Sequence, residues 1–167
     1  MKKIELLAPA GDLEKLKIAI DYGADAVYCG GERFSLRSGS RNFTTEQLAE
    51  GLSYAHSRNR KLYLTLNIFA HNEDIDGFEK YMEEIKDLPI DAFLVSDPGI
   101  LQWMREHRPK ATLHLSTQAN TTNKLSALYW HKQGIKRIVL ARELSLKEIA
   151  EIRQSTPDTL ELEAFVH

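Results

Sequence analysis

Seven short apolar runs recur along the chain, at residues 4–7, 26–29, 62–66, 92–95, 113–115, 138–140 and 160–166. Between them lie polar or glycine-containing turns, then stretches whose apolar residues fall three or four apart. Short apolar runs read as buried strands, and the three-to-four spacing reads as helices with one buried face. Strands alternating with helices predict a parallel sheet. The units are short and regular, and no second composition zone interrupts them. The predicted class is therefore α/β, a (β/α) TIM-barrel-like fold with about seven parallel strands and six helices. A full barrel has eight strands and ~250 residues, so the barrel is expected to be incomplete. Residues 1–167 read as one N-terminal barrel portion of a longer protein.

Helix ends are marked by their chemistry. Asp12 is placed to cap the first helix, whose stripe is Leu13, Leu16 and Ile20 and whose stop is Gly23. Thr44 with Gln47 forms a capping-box pattern ahead of Leu48, Leu52 and Ala55, and Ser145 with Glu148 forms another. The third helix carries Ile75, Phe78, Met82 and Ile85. Asp97-Pro98 opens the fourth, with proline where a missing N–H does no harm. The fifth, around Leu125 and Leu128, is expected to take its cap from Asn120 or Thr122 and to end near Gly134. The segments starting at Gly23, Pro89 and Gly134 read as one helix-to-strand connection written three times.

In parallel barrels, function gathers at the C-terminal ends of strands. Alternation places Tyr63, Thr65 and Asn67 on one face of strand three, Thr112, His114 and Ser116 on one face of strand five, and Glu161, Glu163 and Phe165 on one face of strand seven. The opposite faces are rich in leucine and suit contact with helices, so the polar faces are expected inside. Glu5, His114, Glu163 and His167 are then candidate acid–base groups, although a satisfied internal hydrogen bond is the commoner fate of each. Cys29 reads as a small buried apolar residue rather than a thiolate.

Two polar segments stand out at the strand ends. Residues 30–43 form the longest connection, with Arg33, Arg37 and Arg41 every fourth residue and Phe34 and Phe43 among them. Guanidinium groups match carboxylate and phosphate geometry, while the phenylalanines suit pinning the loop to the rim. Residues 116–123 are almost wholly polar; one member must cap the next helix, and Gln118 and Asn120 suit an amide, a hydroxyl or a base edge.

Composition narrows the partners. With 22 Lys and Arg against 24 Asp and Glu, the net charge of −2 gives no global pull toward nucleic acid or anionic membranes, so any anion site is local. No run approaches a membrane span and the N-terminus lacks a signal-type apolar region, so a cytoplasmic protein with no membrane partner is expected. The single cysteine excludes an internal disulfide, and His56, His71, His107 and His131 lack metal-ligand spacing, so no metal ligand is assigned in this chain. Dinucleotide, P-loop, zinc-protease and nucleophile-elbow motifs are absent. The first and last strands are expected to be open edges capable of self-association.

Several of these segments resemble the N-terminal part of peptidase family U32. They are Leu6-Leu7-Ala8-Pro9-Ala10-Gly11-Asp12, Gly23-Ala24-Asp25-Ala26-Val27-Tyr28 with Gly30-Gly31, and Arg37 with Asn42-Phe43-Thr44. Residues 114–123, 139–145 and 163–167 resemble the same family. The wording is most similar to the branch associated with tRNA hydroxylation, in which wobble uridine becomes 5-hydroxyuridine with prephenate required. The resemblance implies tRNA and a prephenate-like carboxylate as partners. It also implies an iron–sulfur cluster held by cysteines downstream of His167, so residues 1–167 alone are expected to be inactive. Arg33, Arg37, Arg41, Asn67, Gln118, Asn120, Arg142, Glu143 and His167 make up the candidate substrate face. The family label implies a peptidase, a hydrolase, as an alternative, and a non-catalytic binding module is a second one.

Overall fold

The computed structural model describes residues 4–35 and 42–166. Its strands are β1 (Leu7–Pro9), β2 (Ala26–Gly30), β3 (Lys61–Leu66), β4 (Ala92–Val95), β5 (Leu113–Leu115), β6 (Arg137–Val139) and β7 (Glu161–Glu163). The helices α1 (Leu13–Asp21), α2 (Thr45–His56), α3 (Asn72–Glu84), α4 (Pro98–His107), α5 (Lys124–Lys132) and α6 (Leu146–Gln154) alternate with them. The sheet runs in the order β1-β2-β3-β4-β5-β6-β7. Its registered pairs are parallel: Leu7 opposes Ala26, Ala26 opposes Lys61, His114 opposes Arg137 and Arg137 opposes Glu161. The outer strands are shorter than their apolar runs. The Leu6 N–H goes to the Asp25 carboxylate, 3.1 Å away, instead of to a ladder carbonyl. Beyond β7, Val166 is exposed.

By internal contacts the chain divides into two compact units, Met1–Phe93 and Leu94–His167. In the first, the leucine face of β3 (Leu62, Leu64, Leu66) is buried, as are Leu16 and Ile20 of α1, Leu48 and Leu52 of α2, and Phe78 and Met82 of α3. In the second, Leu113, Leu115 and Ile138 are buried together with Ile100 and Met104 of α4, Ala127 of α5 and Ile152 of α6. The alternate residues Tyr63, Thr65 and His114 are buried as well, so β3 and β5 are covered on both faces.

The caps follow local chemistry. The Asp12 carboxylate accepts from the Lys15 N–H at 2.8 Å, and Thr44 and Gln47 satisfy each other's backbone N–H groups at 3.2 and 3.1 Å. Asp97 accepts from Gly99 and Ile100, and Ser145 pairs reciprocally with Glu148. The fifth helix differs from expectation. Asn123 is its cap, accepting from Leu125 and Ser126 at 3.0 Å each, so neither Asn120 nor Thr122 does that work.

The repeated turn has a repeated hydrogen bond. The N–H groups of Asp25, Asp91 and Lys136 donate to the carbonyls of Leu6, Leu62 and Leu113, at 2.9, 3.2 and 2.9 Å. Gly23 and Gly134 sit at φ +108° and +89°, where a side chain is disfavoured. The Asp91 carboxylate also accepts from the Leu62 N–H at 2.8 Å, as Asp25 does from Leu6. These turns tie each strand to the one before it at the N-terminal ends. The C-terminal ends are left to other work.

Candidate substrate face

In the first unit, the end of β2 is built around glycine. The Phe43 N–H donates to the Gly30 carbonyl at 3.0 Å, and Gly31 forms an isolated parallel bridge with Phe43. Phe34, at φ +64°, turns inward and meets Phe78 edge-on with ring centroids 5.4 Å apart; the Tyr81 ring lies 5.7 Å away. Phe34 and Phe43 are both buried, so they pin the two ends of the connection, as their spacing implies. Below them the Thr65 hydroxyl donates to the Cys29 carbonyl at 3.1 Å and pairs with the Ser35 hydroxyl at 2.9 Å. The Tyr81 hydroxyl is buried and has no hydrogen-bond partner among the described residues. Burial raises its pKa, with smaller contributions from nearby anionic groups. Arg33 is exposed beside this cluster, and Asn67 is half-buried just past β3. Arg37 and Arg41 lie outside the described residues.

In the second unit, register does what sequence spacing alone could not show. His114, Arg137 and Glu161 stand opposite one another across β5, β6 and β7. The buried Arg137 guanidinium donates to the Glu161 carboxylate through Nε at 3.0 Å and Nη2 at 2.7 Å, and its Nη1 is 3.6 Å from Glu163. In the sequence Arg137 lies beside Lys136, just ahead of the apolar run 138–140, where it reads as part of the helix-to-strand turn. The period-two pair Glu161 and Glu163 was the signal that a buried cation should face them. His114 and Glu163 therefore belong to this internal charge layer.

Above that layer, residues 116–121 fold over the strand ends. A 3₁₀ turn, Thr117–Ala119, begins at Ser116, whose hydroxyl accepts from the Gln118 N–H at 3.4 Å. Asn120 closes it in the left-handed region, at φ 48° and ψ 53°, a conformation asparagine tolerates better than most residues. The Thr121 carbonyl accepts from the Ala141 N–H at 3.2 Å, and the Thr117 hydroxyl donates to the Leu140 carbonyl at 3.4 Å. The turn is thus stitched to the end of β6, which leaves Gln118 and Asn120 exposed. Arg142 and Glu143 are exposed just past β6, and the Arg142 guanidinium carbon lies 3.9 Å from the centroid of the Phe165 ring. His167 lies outside the described residues.

The structure therefore places Gln118, Asn120, Arg142 and Glu143 on the C-terminal side of the second unit's strands, and Arg33 and Asn67 on that side of the first. Glu5 is at the other end. It precedes β1, accepts from the Tyr63 hydroxyl at 2.9 Å and lies 3.6 Å from Lys61, the first residue of β3. In barrels that face serves stability.

No group of three or more His, Cys, Asp or Glu among the described residues is arranged to hold a metal ion. Cys29, the only cysteine in the sequence, is buried, and burial pushes its thiol up to about 12. An iron–sulfur cluster takes several thiolate ligands; one protonated, buried thiol does not fit that donor set.

Parallel βα units with polar side chains at the C-terminal strand ends define a TIM-barrel-like α/β protein. The U32 peptidase Mk0906 has the same fold, with a TM-score of 0.78 over 97% of this chain and 68% of that one, at 14% identity. The family profile of Peptidase family U32 matches residues 11–167, and the chain belongs to that family. It is 47% identical to tRNA hydroxylation protein P1 of Bacillus subtilis over 99% of this chain and 39% of that protein. It is 44% identical to tRNA hydroxylation protein P of Escherichia coli over 100% of this chain and 37% of that protein. The chain spans about two fifths of the length of these relatives.

Proposed function

We propose that the protein containing this chain hydroxylates tRNA, converting the wobble uridine to 5-hydroxyuridine with prephenate required, and that this chain supplies part of the substrate-binding face. The likeness to tRNA hydroxylation proteins along essentially the whole chain carries this reading. The geometry supports it in two ways. The exposed guanidinium groups of Arg33 and Arg142 match phosphate or carboxylate oxygens, and the exposed amides of Gln118 and Asn120 can hydrogen-bond a base edge or a hydroxyl. No helix among the described residues is long and apolar enough to cross a membrane, in keeping with action on tRNA in the cytoplasm. The ligands of an iron–sulfur centre would come from the remainder of the protein, since the described residues here do not offer them.

Mass spectrometry of tRNA nucleosides from a deletion strain tests the reading. Loss of 5-hydroxyuridine derivatives, restored by the intact gene, is expected. Unchanged nucleosides together with gelatin cleavage by the purified protein would instead establish the peptidase that the family label names.

A further inference from the structure

The stack of Arg142 on Phe165 has a chemical consequence beyond exposure of a positive charge. We infer that Phe165 is a positioning residue that holds the Arg142 guanidinium face-on, so that its N–H edge presents a fixed fork to an oxyanion of the substrate. The two residues follow the ends of adjacent strands, β6 and β7, and meet at 3.9 Å from guanidinium carbon to ring centroid. A cation this close to an aromatic face is held by the ring quadrupole. A ring over the guanidinium carbon covers one face of the group and leaves its in-plane N–H donors open. No carboxylate pairs with Arg142 among the described residues. Arg137, at the opposite end of β6, is by contrast committed to Glu161 and Glu163.

Arg137, at the start of β6, is therefore consumed by internal structure, while Arg142, past its end, is oriented and free to bind. A planar fork takes a carboxylate or a phosphodiester in two parallel hydrogen bonds. The chemistry is the same for both sources, and they are separated below. Phe165 is not among the residues that the sequence pattern nominates for binding. Its part is to reduce the number of orientations Arg142 must give up when the anion arrives. This inference rests on the hydroxylation reading for the identity of the ligands, but its test reads binding rather than product.

The experiment uses the intact protein and its Arg142→Ala, Phe165→Leu and Phe165→Tyr variants, each checked for an unchanged melting temperature. Prephenate and an anticodon stem-loop RNA are titrated separately, the RNA at several salt concentrations. Arg142→Ala is expected to weaken one of the two ligands about tenfold or more. If the anion is a phosphodiester, RNA affinity falls and the salt slope drops by about one. If it is a carboxylate, prephenate affinity falls and the RNA slope stays. Phe165→Leu is expected to weaken the same ligand about two- to fivefold, the size of an exposed cation–π contact, and Phe165→Tyr to restore it. Wild-type affinity for both ligands in Arg142→Ala would overturn the anion site. Wild-type affinity in Phe165→Leu, with Arg142→Ala impaired, would overturn the positioning role.

Discussion

Replacing Gly31 with alanine is expected to destabilise the protein by about 3 kcal/mol, the upper range for overpacking a filled site. A Cβ built on Gly31 would lie 1.9 Å from the Tyr81 hydroxyl oxygen and 2.9 Å from its ring carbon Cζ. Tyr81 cannot swing aside cheaply, because it is buried and its ring packs against Phe34, which in turn meets Phe78. The clash therefore reaches the aromatic cluster that anchors the first part of the 30–43 connection. Tyr81→Phe alone is expected to stay within about 1 kcal/mol of wild type, since its hydroxyl has no hydrogen-bond partner among the described residues. In the double variant Gly31→Ala/Tyr81→Phe the nearest atom is gone, so the loss should be smaller than in Gly31→Ala. Urea unfolding of the four proteins measures the coupling. Strict additivity would show that the two residues do not oppose each other as described.

Stability is also expected to fall steeply on the alkaline side, with Cys29 responsible for an identifiable share. Burial raises its thiol from an ordinary 9.0 to about 12 in the folded protein. Below pH 9 the thiol is protonated whether the chain is folded or not, and this contribution is fully present. Between pH 9 and 12 the unfolded chain releases the proton and the folded chain keeps it, so unfolding is favoured by about 1.4 kcal/mol per pH unit. Tyr81 pushes in the same direction, because burial raises its phenol as well. Comparing wild type with Cys29→Ala isolates the thiol. The variant starts lower at pH 8 because it leaves a small cavity, and the gap should close as pH rises toward 11. A constant gap across that range would mean that Cys29 is not buried as protonated thiol. The same burial excludes Cys29 from nucleophilic work near neutral pH.

What could be read from the sequence was mostly local. Asp12, Thr44 with Gln47, Asp97 with Pro98, and Ser145 with Glu148 act on backbone groups two or three residues away, so their patterns translate directly into caps. The leucine faces of β3 and β5 were equally legible, because a period of two fixes the side to which each residue points. Residues 120–123 were harder. Asn120, Thr122 and Asn123 can all cap, and the choice of Asn123 depends on the 3₁₀ turn that precedes it. Arg137 was hidden because its partner Glu161 lies 24 residues away and is brought opposite it only by strand register. The same is true of Arg142 and Phe165, whose contact depends on how β6 and β7 end. Glu5 was legible as an ionisable group on the first strand. Its partners, Tyr63 and Lys61, show that it belongs to the stabilising end of the barrel.

The central proposal is that residues at the C-terminal strand ends of this chain contact the substrate of an RNA hydroxylation. Complementation of the deletion strain, with nucleoside mass spectrometry as the readout, tests it most directly. The intact wild-type gene should restore 5-hydroxyuridine derivatives. A Gln118→Ala/Arg142→Ala variant, present at wild-type level, should restore less than a tenth as much, as expected when a paired guanidinium contact and an amide contact are both lost. Full restoration by that variant would contradict the claim.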